Sequence, residues 1–213
     1  MRLGALLVAA LAIAATTSLG ALGASRTAPA PTPKTGAAPW PAPPNPMKLT
    51  RRAGLTPERY EHLRYHVHSH LDVFVNGKRV VIPAGIGIAI HDPAVHHGAI
   101  PDGSTAYGGI NPPCAQACIS PLHTHADLGL LHTESSTSRP NNLGEFFTEW
   151  NVRLDRRCVG GYCKPDSILV YVNGKRYSDD PREILLANHT EIAIVIGTPP
   201  KKIPSKFPGN VPI

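Results

Sequence analysis

The chain has 213 residues, eleven of them histidine, and a formal net charge of +6 with those histidines neutral. Its 21 Lys and Arg are scattered, and no basic run carries interleaved aromatics, which argues against a nucleic-acid-binding surface. A chain of this length holds one domain with additions, and the additions sit at the N-terminus.

Met1-Arg2 is followed by an apolar run from Leu3 to Ala15 and by small residues to Ala24. A basic start, an apolar centre and a small-residue end are the marks of a secretory signal peptide, assigned here to residues 1–24. Leu3 to Leu22 is also long enough to span a bilayer, so an uncleaved anchor, and with it a membrane as partner, stays open. Thr16, Thr17 and Ser18 favour cleavage and a secreted, extracytoplasmic protein. Ser25 to Pro46 holds eight of the 23 prolines and reads as an extended linker, residues 25–46. Residues 47–213 remain for a single histidine-rich, β-rich domain, enough for a hydrophobic core.

Within that domain Thr56-Pro57-Glu58 has the signature of a helix start, with Thr56 as N-cap and Pro57 at the first helical position, and predicts a helix to about Arg64. Tyr65 to Val75 is β-branched and alternating, Asn76-Gly77 is a type I′ hairpin signal, and Lys78 to Ile82 forms the return strand. His66, His68 and His70 then share a face with Asp72 and Phe74. The glycine-broken apolar run from Pro83 to Ile90 leads to His91, His96 and His97 and a Gly/Pro-rich loop over residues 98–113.

The four cysteines, in an exported chain, are read as disulfides; two local bridges and two bridges between Cys114/Cys118 and Cys158/Cys163 are both open. Neither spacing is the C-x-x-C of a zinc knuckle, which argues against a thiolate metal site. Leu122 to Glu134 follows as one or two strands. Arg139 to Asn142 is a turn, and Asn142 caps a helix from Leu143 to Trp150, with Phe146, Phe147 and Trp150 directed to the core. Ile168 to Val172, Asn173-Gly174 and Lys175 to Tyr177 make a second hairpin, whose sequence echoes the first through convergence on the same turn or through duplication. Ile192 to Ile196 is a buried strand, and the tail from Thr198 is irregular. The sum is an α+β, β-rich fold: a small antiparallel or mixed sheet with two Asn-Gly hairpins and two short helices.

Six histidines fall in two clusters, His66-Val67-His68-Ser69-His70 and Leu122 to Glu134. His123 and His125 are two apart, His132 and Glu134 repeat the spacing, and a turn at Asp127 to Gly129 would bring the two pairs together. Packing gives no reason to repeat histidine on one strand face, whereas a metal ion does, because neutral imidazole suits zinc and copper. The metal set read from the sequence is therefore His68, His70, His123, His125, His132 and Glu134, holding copper or zinc, with Asp127 and Glu134 also candidates for orienting a ligating ring. His66 is placed at the sheet edge, and the surplus of ligands allows one ion or a dinuclear centre.

The function read from this pattern is a secreted or envelope-tethered metal-binding protein whose partner is the metal ion. One alternative is a metalloenzyme of hydrolase or hydratase type, with metal-activated water and Glu134 as general base. Another is a non-metal interaction module with a pH-sensitive histidine network. The His-x-His spacing resembles that of cupins, but their carboxylate follows sooner than Glu134 and their second motif is missing here; a likeness to β-grasp domains is loose.

The segments His68-Ser69-His70-Leu71, Ile82 to Ile88, Cys118 to Glu134 and Leu143 to Trp150 together resemble a family of exported bacterial and archaeal proteins to which no activity is assigned. Its signature is HxHL, IPxxIGI, HTHxxxGxxHxE and LGxFFxxW, and the resemblance covers about Tyr65 to Gly197. The family's acid after the second histidine of HTH is Ala126 here, with Asp127 beside it, which puts that carboxylate on the opposite strand face.

Overall fold

The computed structural model describes Met1, residues 34–164 and residues 167–209. The segment expected as a signal peptide, after Met1, and the expected linker as far as Pro33 lie outside the described residues. In chain order the elements are helix α1 (Pro46–Arg52), strands β1 (Tyr65–Val75), β2 (Lys78–Val80), β3 (His96–Ala99), β4 (Thr105–Gly108), β5 (Leu122–His123) and β6 (Leu130–Ser135), helix α2 (Leu143–Glu149), then β7 (Cys158–Val159), β8 (Tyr162–Cys163), β9 (Ile168–Val172), β10 (Lys175–Tyr177) and β11 (Thr190–Ile196). The fold is α+β and β-rich, as the sequence implies: a mixed seven-stranded sheet ordered β10-β9-β11-β1-β6-β5, with β2 also paired to β1, and two small two-stranded sheets.

Both Asn-Gly turns form where two consecutive positive φ angles are needed, at Asn76 (49°) and Gly77 (76°) and at Asn173 (51°) and Gly174 (75°). A type I′ turn requires that pair of angles, and its twist matches the strands it joins. β1 is central. It runs parallel to β11, from Ser69 opposite Thr190 to Val75 opposite Ile196, and antiparallel to β6, from Tyr65 opposite Ser135 to His70 opposite Leu130.

Because side chains alternate along a strand, β1 has two characters. Leu71 and Val73, with Leu122, Leu131, Ile192, Ile194 and Ile196, belong to one buried apolar cluster. Onto it α2 packs Leu143, Phe146, Phe147 and Trp150. Helix α2 begins with the capping box expected of Asn142: its side chain accepts from Glu145 N at 2.9 Å, and Glu145 Oε2 accepts from Asn142 N at 2.9 Å. The opposite face of β1 is polar from His66 to Asp72 and ends on Phe74.

Two sequence expectations are corrected. No helix follows Thr56; the backbone there is spent on the disulfide loop, with Glu58 N donating to Ile119 O and Cys114 N to Arg59 O. These long-range pairs outweigh the local capping signal, and the helix lies upstream, opening with Pro46 at its first turn. The proline-rich stretch is also not a free linker over its described part. Trp40 is 2% exposed, sits edge-on to Trp150 with ring centroids 5.6 Å apart, and accepts a hydrogen bond from Trp150 Nε1 at its carbonyl. One large aromatic supplies the apolar area that the surrounding prolines lack. Both disulfides are local, Cys114–Cys118 and Cys158–Cys163.

Candidate metal centre

Strand β6 lies between β1 and β5, and the registers align His68, His132 and His123 in one row across the three strands. In the next row His66 faces Glu134. Alternation puts all five side chains on the face of the sheet away from the α2 core. His125 joins them from just beyond β5: its Nε2 lies 3.1 Å from Nε2 of His123.

Glu134 is the hub. Its Oε1 is 3.1 Å from His132 Nδ1, 3.2 Å from His66 Nε2 and 3.8 Å from His125 Nε2, while Oε2 is 3.8 Å from His123 Nε2. His66 Nε2 and His68 Nε2 approach to 2.9 Å. The ligand atoms fall into two sets of four, His66/His68/His132/Glu134 and His123/His125/His132/Glu134, and within each set they all lie within 4.8 Å of one another. That spacing suits donors around a single small cation with bonds of about 2.0–2.2 Å.

Burial sets the charge states. Burial, aided by His132 and His66 nearby, pushes the His68 ring down to about 4, and burial with the neighbouring rings lowers His132 and, further, the fully enclosed His123. Burial works against charge on His125 as well, but Glu134 and the Tyr107 carbonyl outweigh it and its pKa is raised. For Glu134, burial favours the neutral acid, yet hydrogen bonds from His125 and His132 and the charge of the surrounding imidazoles prevail and hold it well below the usual carboxylate range. Glu134 is thus held as the anion, and burial favours the neutral ring at His68, His123 and His132, the protonation state that metal ligation needs.

The rings are aimed from behind. His123 Nδ1 donates to Ser120 O at 2.8 Å and His125 Nδ1 donates to Tyr107 O, which turns both Nε2 atoms inward. Such outer partners fix the tautomer and the ring plane of a ligand. Ser120 in turn donates from Oγ to Glu149 Oε1 at 2.7 Å, and Thr50 Oγ1 donates to Glu149 Oε2 at 3.1 Å, so both helices brace the loop carrying His123. Gly108 allows the approach of His125: a Cβ there would lie 2.5 Å from His125 Nδ1.

Of the residues singled out from sequence, His68, His123, His125, His132 and Glu134 come together, and His66, set aside as an edge residue, joins them. Its place on the same strand face as His68 was the available signal. His70 is elsewhere. Its Nδ1 donates to Glu191 Oε2 at 2.9 Å, its Nε2 lies 3.0 Å from Leu128 O, and Arg79, paired to Asp72 at 2.7 Å, stands beside it. His70, Asp72 and Glu191 form a third group of possible ligands, whose member Glu191 no local sequence signal could attach to His70, since it comes from β11. Asp127 lines a separate groove with Pro83, Ala84 and Tyr107. His96 and His97 lie on β3, whose hairpin with β4 borders the centre in a shallow depression that also contains Tyr107 and His125. No protein-family model, curated protein or solved structure matches this chain.

Proposed function

We propose that this chain is an extracytoplasmic metal-binding protein that holds copper or zinc at the cluster built by β1, β5 and β6. The observation that carries this reading is the pair of four-residue sets, three histidines and one carboxylate each, with every ligand atom within 4.8 Å of the others. Imidazole with a single carboxylate suits borderline ions such as zinc and copper better than calcium or magnesium, which favour all-oxygen sites. The two disulfides support an oxidising compartment, in keeping with the leader-like N-terminus. The HxHL…HTHxxxGxxHxE signature supports membership of the exported family that it resembles.

The test is elemental analysis of untagged protein, wild type against a variant with H123A and H125A together. Metal content is expected to fall in the variant; equal content in both would overturn the reading.

A second reading, catalysis by metal-activated water, is favoured by one observation. The depression beside His125, together with the 34% exposure of the His66 side chain, gives water access to either flank of an otherwise buried centre. A metal with an open position there would lower the pKa of a bound water. Glu134, engaged by four imidazoles, has a ligand's place rather than that of a general base. Spectral shifts of the copper- or cobalt-loaded protein on adding azide would support an open position, and unchanged spectra would count against it.

A further inference from the structure

We infer that the cluster is a two-ion centre bridged by Glu134, an inference that rests on the metal-binding reading above. The argument is the near-symmetry of the ligands about β6. On one flank His66 and His68 have ring centroids 4.5 Å apart at 75°; on the other His123 and His125 are 4.6 Å apart at 76°. His68 and His125 both stand edge-on to His132, at 4.5 Å and 80° and at 4.4 Å and 80°. His66 and His123 both stack roughly parallel to it, at 27° and 11°. Each flank thus supplies one His-x-His pair with a similar ring geometry about His132.

The middle strand supplies what the two sets of four have in common, His132 and Glu134, and they share nothing else. A single ion would use one set and leave the other pair, which includes one buried ring (His68 or His123), without an ion to share. Two ions use both. The carboxylate of Glu134 touches both sets: Oε1 lies near His66 and His132 and, at 3.8 Å, His125, and Oε2 lies 3.8 Å from His123, so this one side chain is within reach of both ions. His132 offers a further nitrogen and completes one ion. That ion then has four protein ligands and the other three, so one position of the pair is closed and the other keeps a place for water or an exchangeable ligand. The charge balance agrees: two divalent cations against one carboxylate leave the centre cationic, so the exchangeable ligand is an anion such as hydroxide or a small oxyanion.

Equilibrium dialysis of chelator-stripped, untagged protein against zinc, followed by elemental analysis, tests this. Two zinc ions per chain are expected for wild type and for H96A/H97A, which removes the exposed histidines of the neighbouring hairpin. One is expected for H66A/H68A and one for H123A/H125A. One zinc in wild type would overturn the two-ion centre and leave the metal-binding reading standing; no zinc would overturn both. A fall to one in H96A/H97A would assign the second ion to the hairpin and overturn the inference. If either double alanine variant fails to fold, the wild-type stoichiometry decides, together with the milder H66Q and H125Q, each expected to weaken one ion about tenfold or more and spare the other.

Discussion

His68 on β1 and His132 on β6 stand directly opposite in antiparallel register, their rings edge-on with centroids 4.5 Å apart. Directly opposed side chains are the closest pairs a sheet offers. Two neutral imidazoles there gain little from each other, and both lose hydration. The pair makes sense as preorganised ligands, and its cost falls on the stability of the metal-free protein.

Glu134 offsets part of that cost through its contacts with the surrounding rings. In E134Q the amide keeps the shape but loses the charge, and an amide nitrogen pointed at the rings cannot ligate. Metal affinity is expected to fall by well over tenfold, on the order of the 10–100-fold typical of even outer ligand partners. Competition with a chromophoric chelator measures it; an unchanged affinity would remove Glu134 from the ligand set.

Gly108 has φ 149° and no room for a side chain. G108A is expected to push His125 off its Tyr107 carbonyl and weaken metal binding, with a small effect on melting temperature because the β3–β4 hairpin lies outside the main core. A variant that binds metal like wild type would mean that the hairpin yields instead of the ring.

Glu149 is buried, and burial pushes its carboxyl up to about 8 from an ordinary 4.5. The folded chain therefore holds this proton to higher pH than the unfolded chain does. Its contribution to stability is fully present below about pH 4.5 and is lost as pH rises towards 8, a change on the order of a few kcal/mol. E149Q, neutral at every pH, is expected to flatten the decline of melting temperature between pH 5 and 8. If wild type and E149Q decline in parallel, the group is not carrying the proton.

Trp40 places a large aromatic against Trp150, 110 residues away, and its indole covers Gly160, where a Cβ would meet ring atoms at 2.3 Å. W40A is expected to lose about 3–5 kcal/mol, the usual cost of truncating a buried Trp. Urea denaturation reads this directly; a loss below about 1 kcal/mol would show that the segment is only laid on the surface.

Much of this was legible in the sequence because it is local. The Asn-Gly turns, the Asn142 cap and the His-x-His alternation each depend on neighbours within a few residues, and each appears in the fold. What the sequence obscured depends on distant partners. His70 has the same spacing from His68 as His66 has, but across β6 it faces Leu130, and its ring is held by Glu191 of β11 and the Leu128 carbonyl, outside the cluster. The helix expected after Thr56 yields to backbone pairs with a loop some 60 residues on. Trp40 was hidden by its prolines, since composition reports the segment and not the one side chain that anchors it.

The two-sided character of β1 bears on how this chain can change over time. Between His66 and Val73 the odd positions lie on the core side, where Leu71 and Val73 are buried, and the even ones, His66, His68, His70 and Asp72, carry ligand-type groups, so inserting or deleting one residue would exchange the two sets at a stroke. Substitutions there can be absorbed one by one, but a change of length cannot. The exposed turn at residues 101–103, between β3 and β4, is under no such constraint, whereas Tyr107 and Gly108 are tied to His125. Length variation among descendants of this sequence should therefore collect in that turn and leave the eleven residues of β1 intact in number.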